Sequence, residues 1–371
     1  MADGTTVRLA FRIGYLGDAY HGSQIQPDVK TVQGELIRVF RSLKWLDPEE
    51  DQHNLVLSSR TDAGVHVRLN GGVVRIKREL WQALTPRKMV RALDDRLPKD
   101  IAFLDVREID ESWNPRMAVH RVYRYRLEGI EFWAHPGEVF DQWLKMFEGT
   151  YDATNFARLE EGKNPLRTIY YCTPWVVDQR VIGFEIIGEA FLWNQVRRTA
   201  MALHRMCIGE IDPAEVKAAL EDADTPADFG VAPPDWLILW GVHWDELPLD
   251  ATPIDVQCFS APPAGPAVER TMRKRWREAA RHEQKSLLLN EWARLCELPI
   301  VRHRCRSIQF YLNQCIVFEV ELFTQTGSCN DLDDVDVSGQ IGDEQCTRNG
   351  TILSFEFGFE RSSTAKGNTI S

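Results

Sequence analysis

What the chain lacks narrows the reading before anything it contains. No apolar run approaches the roughly 20 residues of a membrane-spanning helix, so no membrane association is expected. The opening residues, Met1-Ala2-Asp3-Gly4-Thr5-Thr6, hold neither a basic stretch nor an apolar core, and no secretory leader is expected. The 8 cysteines are scattered, without a CxxC pair or a CxxC…H spacing. That pattern argues against a zinc site or a disulfide framework and fits reduced thiols in a cytoplasm. An acidic loop with Asp331, Asp333, Asp334 and Asp336 resembles a calcium site. However, Asp336 stands where that loop needs glycine, and Gly342 where it needs glutamate, so a solvated loop is expected. No metal or other cofactor is expected.

Net positive charge is lacking too, at −11 overall. The deficit is local. Residues 210–255 hold 1 basic and 12 acidic side chains and equal the whole excess, whereas residues 1–130 and 256–299 are each +3. Binding to a polyanion depends on local surface potential rather than on the total, so a nucleic-acid partner is not excluded.

The remaining pattern is that of an ordinary globular protein, with 44% hydrophobic and 27% charged residues. Val7, Leu9, Phe11, Ile13 and Tyr15 alternate as in a half-buried strand. Thr31 can cap a helix with Val32, Leu36, Val39, Phe40 and Leu43 inward. Strands are expected around Leu55–Leu57, Val67–Ile76 and Ile101–Asp105, with a helix beginning at Pro86 before the last of them. The order β-α-β-β-α-β is that of a ferredoxin-like unit. It recurs from Trp113. A strand 120–127 carries Tyr123, Tyr125 and Leu127 on one face, and a helix at 139–147 follows. Two strands (168–177 and 181–187), helices 191–207 and 212–220, and a strand at 237–240 complete the second half. After the Pro-rich stretch 262–266, Val268 to Leu298 reads as a long helix with a basic first half. Residues 308–322 and 351–359 alternate like strands.

One loop between strands stands out: Ser58-Ser59-Arg60-Thr61-Asp62-Ala63-Gly64-Val65-His66. Scaffolds display reactive groups on such loops. Bound to Arg60, Asp62 would be a charged carboxylate in a fixed rotamer, suited to nucleophilic chemistry. Taken alone, it reads first as a turn carrying a charge pair.

Four stretches in order resemble the tRNA pseudouridine synthase A (TruA) family in its archaeal form. They are Arg60–His66; Arg116-Met117-Ala118 with Tyr123-Arg124-Tyr125; Phe191-Leu192-Trp193-Asn194-Gln195-Val196-Arg197-Arg198; and Ala232–Trp240. Weaker echoes are His21–Gln26, Asn155-Phe156 and Arg167-Thr168-Ile169. Two positions depart from the family: many members have tryptophan at Ser23 and glycine at Trp236.

The resemblance implies an isomerase that converts uridine to pseudouridine at positions 38 to 40 of the tRNA anticodon arm, without a cofactor. It implies Asp62 as catalytic residue, supported by Arg60, Tyr123, Arg197 and Leu237, and a homodimer with tRNA across both subunits. Asp62 would act by covalent attack or by proton abstraction. Contacts to RNA are expected from His66, Arg68, Arg75, Lys77, Arg121, Arg124, Arg198 and Arg205, and from Arg273, Lys274 and Arg277 on the basic helix. For His66 a turn-stabilising role is expected as the other reading. The alternative is a non-catalytic RNA-binding protein of the same fold. The expected fold is α+β: two ferredoxin-like (RRM-like) halves, 7–110 and 111–250, joined around a central antiparallel sheet and an active-site cleft. A linker and basic helix (251–299) and a small β extension (300–371) follow.

Overall fold

Alternation puts Val7, Leu9, Phe11, Ile13 and Tyr15 on one face of β1 (Thr6–Tyr15), and all five are almost fully buried. Ala10 on the opposite face is buried as well, so β1 is an interior strand rather than a half-exposed one. This computed structural model describes residues 5–46, 54–130, 137–248, 259–263 and 270–297. The expected strands beyond residue 300 and the 331–336 loop lie outside the described residues.

The further strands are β2 (Leu55–Leu57), β3 (His66–Lys77), β4 (Ile101–Glu108), β5 (His120–Tyr125), β6 (Gly149–Asp152), β7 (Leu166–Val177), β8 (Arg180–Gly188) and β9 (Leu237–His243). They form one sheet in the order β4-β1-β3-β9-β5-β8-β7-β6, with β2 paired to β3. The last strand therefore returns to the middle, between the strands of the first half and those of the second. The central antiparallel sheet that was expected is a mixed one. Every named pairing is antiparallel except β3 with β9, which run parallel through His66↔Ile238 and Val67↔Leu239.

Helices α1 (Val32–Ser42), α2 (Arg78–Ala83), α3 (Pro86–Asp94), α4 (Val139–Lys145), α5 (Gln195–Cys207), α6 (Pro213–Glu221) and α7 (Arg270–Glu297) complete the fold. Thr31 Oγ1 accepts from the Gly34 amide at 3.2 Å, and Thr85 Oγ1 from the Lys88 amide at 3.3 Å. Asp212 and Glu215 close a reciprocal capping box on α6. The helix expected from Phe191 starts at Gln195, because Asn194 is left-handed at φ 63° and breaks it. Two elements escaped sequence reading for want of an apolar pattern. Helix α2 buries no residue, and β6 is a short, partly exposed edge strand. No helix among the described residues is long and apolar enough to cross a membrane.

The sheet has a core on each face. Tyr123, Tyr125 and Leu127 fall in the larger one with α1, α3, α5 and α6; Val122 falls in the other with Ile238, Trp240 and Trp292. Helix α7 covers this second face. Its Trp292 packs so close to β1 that a Cβ on Gly14 would lie 2.0 Å from the indole nitrogen, which only glycine avoids. The helix also buries an ion pair. Glu291 accepts from Arg68 Nε at 2.7 Å, with side chains 3% and 1% exposed.

Buried charges of this kind are costly to strand. Glu291→Ala, which leaves Arg68 uncompensated, is expected to cost about 3–5 kcal/mol in urea unfolding, and joint replacement by Arg68→Met and Glu291→Leu much less. A loss below about 1 kcal/mol for the single variant would mean that water reaches Arg68.

Histidines are buried where the strands of the two halves meet. His66 opens β3, and His120 of β5 stacks on its register partner His243 of β9 at 4.7 Å. Burial pushes His66 and His120 down to about 4 and lowers His243 as well. Unfolded, all three titrate near about 6.5. Between those values unfolding takes up protons, so the stability they supply is complete above about pH 6.5 and is lost as pH falls toward about 4. Scanning calorimetry should show His120→Gln losing less stability than wild type between about pH 7 and pH 4.5. Equal losses would dissociate His120 from the acid sensitivity.

Candidate active site

Residues 58–65 leave β2 and enter β3, and hydrogen bonds hold this loop at both ends. Asn70 bonds to both backbone polar groups of Ser59, accepting at 3.2 Å and donating at 2.8 Å. Ser23 does the same for Thr61: its Oγ accepts from the Thr61 amide at 2.9 Å, and its amide donates to the Thr61 carbonyl at 3.1 Å. Tyr15 fixes the Thr61 hydroxyl at 2.8 Å. Gly64 turns the chain at φ 82°, a left-handed conformation that suits glycine, and the Val65 amide reaches back to the Asp62 carbonyl. Asp62 therefore sits on a rigid turn.

Its ion-pair partner comes from the other half of the chain. Arg197, in the first turn of α5, donates through Nη1 to Asp62 Oδ2 at 2.9 Å. The same guanidinium donates to Asn194 Oδ1 at 3.0 Å and to the Ala232 carbonyl at 2.8 Å, so three acceptors set its plane. Arg60, expected to pair with Asp62, is instead exposed on the cleft wall. Arg197 is held by three acceptors, whereas the Arg60 side chain is open to solvent.

The cleft around this pair measures about 950 Å³. Tyr123 and Leu237 line it, 7% and 5% exposed, and Phe191 meets the Tyr123 ring edge-on at 5.0 Å. Burial raises the Tyr123 phenol well above its ordinary range; Arg121 opposes that rise, while Tyr15 and Asp62 add to it. The phenol thus stays protonated and presents an apolar ring with a hydrogen-bonding hydroxyl, rather than a ready base.

Seven cations line the cleft, Arg60, Arg116, Arg121, Arg158, Lys163, Arg167 and Arg197, against the carboxylates Asp62 and Glu160. Sequence reading had assigned RNA contact to only Arg121 among them. Arg121 donates to the backbone carbonyls of Arg116 and Glu189, which holds it in the wall. Arg116 and Arg167 lay within recognised stretches but received no role. Arg158 and Lys163 occupy a polar loop whose composition matches any solvated turn.

The other expected RNA contacts lie away from the cleft. Arg68 is a correction: it is a fully buried core residue, paired with Glu291 and set 4.7 Å from the Trp240 ring. Its strand exposes neither face, so alternation gave it no route to solvent. His66 is also buried, and its Nδ1 accepts from the Gly17 amide at 3.0 Å, the turn-stabilising role. Arg124 is on the α7 face, paired with Glu185 at 2.6 Å and stacked on Trp240 at 3.9 Å. Arg75 pairs with Glu111, Arg198 with Asp228 and Arg205 with Glu210. Lys77 is exposed at the far end of β3, and Arg273, Lys274 and Arg277 lie in the first half of α7.

Comparison with known proteins bears on the family. Residues 144–245 match the family model described as tRNA pseudouridine synthase. The tRNA pseudouridine synthase A of Methanoculleus marisnigri is 35% identical over 254 residues, 66% of this chain and 87% of that protein. That of Thermococcus sibiricus is 32% identical over 292 residues, 77% of this chain and 98% of that protein. Among solved structures, the archaeal box H/ACA sRNP Nop10-Cbf5 complex matches 53% of this chain and 43% of the chain compared, at a TM-score of 0.26 and 12% identity. A likeness that weak carries no argument. The relatives are aligned over nearly their whole length, and across it the chain belongs to the tRNA pseudouridine synthase A family, whose members are isomerases.

Proposed function

We propose that the chain isomerises uridine to pseudouridine at positions 38 to 40 of the tRNA anticodon arm, with Asp62 as the catalytic carboxylate. The observation that carries this reading is the Asp62–Arg197 ion pair at 2.9 Å inside a cleft walled by Tyr123 and Leu237 and lined by cations. The reaction breaks the N1–C1′ bond, and its electron pair leaves with the uracil. The ring turns over and C5 bonds to C1′; the proton lost from C5 is balanced by one gained at N1, so mass is unchanged. A carboxylate acting at C1′, C2′ or C6 suffices, by covalent attack or by taking a sugar proton. Arg197 binds Oδ2 and leaves Oδ1 without a hydrogen-bond partner among the described residues, available to the nucleotide.

The target base must first leave its stack, at a cost of a few kcal/mol. Phosphate contacts from Arg116, Arg121, Arg158, Lys163 and Arg167 supply that energy. Arg60 enters the space the base vacates. Leu237 closes the apolar side of the pocket, and the protonated Tyr123 stacks on the uracil. We read 7–110 and 111–250 as the two ferredoxin-like halves, and the working enzyme as a cytoplasmic homodimer with tRNA across both subunits.

Asp62→Ala is expected to abolish pseudouridine formation on unmodified tRNA, mapped by carbodiimide-dependent primer extension, while tRNA affinity stays within a few-fold. Full activity in that variant would refute Asp62 as catalyst. Arg197→Lys keeps the charge but not the fork that bridges Asp62, Asn194 and Ala232. Its single-turnover rate is expected to fall by at least about a hundredfold with little change in affinity. A rate within about threefold of wild type would show that Asp62 does not depend on the fork.

A further inference from the structure

Trp193 has no part in the chemistry above, yet it lines the cleft and keeps 43% of its surface exposed. Its backbone is fixed on both sides. The Arg158 amide donates to the Trp193 carbonyl at 2.8 Å in an isolated antiparallel bridge. The following residue, Asn194, is left-handed at φ 63°, which is uncommon outside glycine, and its side chain holds Arg197. The indole is therefore carried on the same short segment that sets the guanidinium against Asp62. The Arg158 guanidinium lies 4.3 Å from the Trp193 ring centroid. Arg158 is itself exposed, and Lys163 and Arg167 line the same cleft.

An immobilised indole open to water beside cations is poorly explained by folding alone. The open apolar area does not contribute to a core, and a polar residue would serve the bridge equally well. A nucleobase stacked on the ring would cover that area. Such stacking tolerates any base, and the cations supply the phosphate contacts that accompany it.

We propose that Trp193, backed by Arg158, is the platform for an unpaired RNA base next to the target nucleotide, with Arg158, Lys163 and Arg167 on the adjoining phosphates. This rests on the reading of the cleft as the uridine site. The target itself is accounted for by Asp62, Tyr123 and Leu237. Extruding it unstacks its neighbours, and a second aromatic surface recovers part of that loss.

The test compares the full-length chain with Trp193→Ala, Trp193→Phe and Arg158→Gln on unmodified tRNA. Filter binding is measured across salt concentrations, alongside single-turnover pseudouridine formation at saturating enzyme. Trp193→Ala is expected to weaken binding about tenfold, and Trp193→Phe by less than about threefold. The salt slope of Trp193→Ala should match wild type, since no phosphate contact is lost, whereas Arg158→Gln should lower it by about one. At saturation the Trp193→Ala rate should fall less than its affinity. Wild-type affinity in Trp193→Ala would overturn the proposal. So would a Phe variant as weak as the Ala variant with an equally lowered melting temperature, which would make Trp193 a packing residue. If the wild-type chain binds tRNA but forms no pseudouridine, the catalytic reading fails, and the binding series still decides the platform.

Discussion

Parallel pairing of β3 with β9 sets the first residues of both strands at the same edge of the sheet, and the site is assembled from what lies there. The Asp62 turn immediately precedes β3, and Leu237 begins β9. Strand β5 runs antiparallel to β9, with Tyr123 opposite Leu239 and Tyr125 opposite Leu237, so the Tyr123 ring is brought to that edge from the second half of the chain. Only two residue pairs join β3 to β9. At that edge α5 brings Arg197 to Asp62. Had β9 entered in the opposite sense, its first residue would lie a strand length from Asp62, and no side chain could close the distance.

That arrangement explains what sequence reading reached and where it stopped. Strands β1, β3, β5, β7 and β8 were legible because their cores impose a period of two, and α1, α3 and α6 because their caps are local. Asp62, Tyr123, Arg197 and Leu237 were legible through their flanking motifs, and the structure brings all four to one cleft. Both Arg60 and Arg197 were expected beside Asp62, and only Arg197 pairs with it among the described residues. Which of the two does so depends on contacts far apart in sequence. The direction of β9 was hidden for the same reason, since strand polarity is decided by contacts far apart in sequence.

The two departures from the family acquire physical roles. Ser23, where many members have tryptophan, is 1% exposed and holds the Thr61 backbone by two hydrogen bonds. The Asp62 turn is thus clamped by a small polar residue rather than by a large ring. Trp236, where many have glycine, is fully buried against Gly129, at which a Cβ would come within 2.2 Å. Arg281 of α7 lies 5.3 Å from the Trp236 ring and pairs with Asp235. Trp236 lies in the larger core with Tyr123 and Leu237, and the long helix packs against it through Arg281.

Arginine illustrates why counting cations along the chain misplaces an RNA surface. Arg68 is neutralised by Glu291, and Arg124 by Glu185 with an indole beneath it; both are paired within the fold. Arg197 is engaged as well, by three acceptors of which Asp62 is one. Arg60, Arg116 and Lys163 are exposed and have no ion-pair partner among the described residues. A phosphate gains charge-assisted hydrogen bonds only from donors still free to give them. The property that separates an RNA-binding arginine from a structural one is thus its unsatisfied hydrogen-bonding capacity. In this chain Arg60, Arg116 and Lys163 bring such capacity to the cleft that holds Asp62, while the acidic excess of residues 210–255 accounts for the net charge.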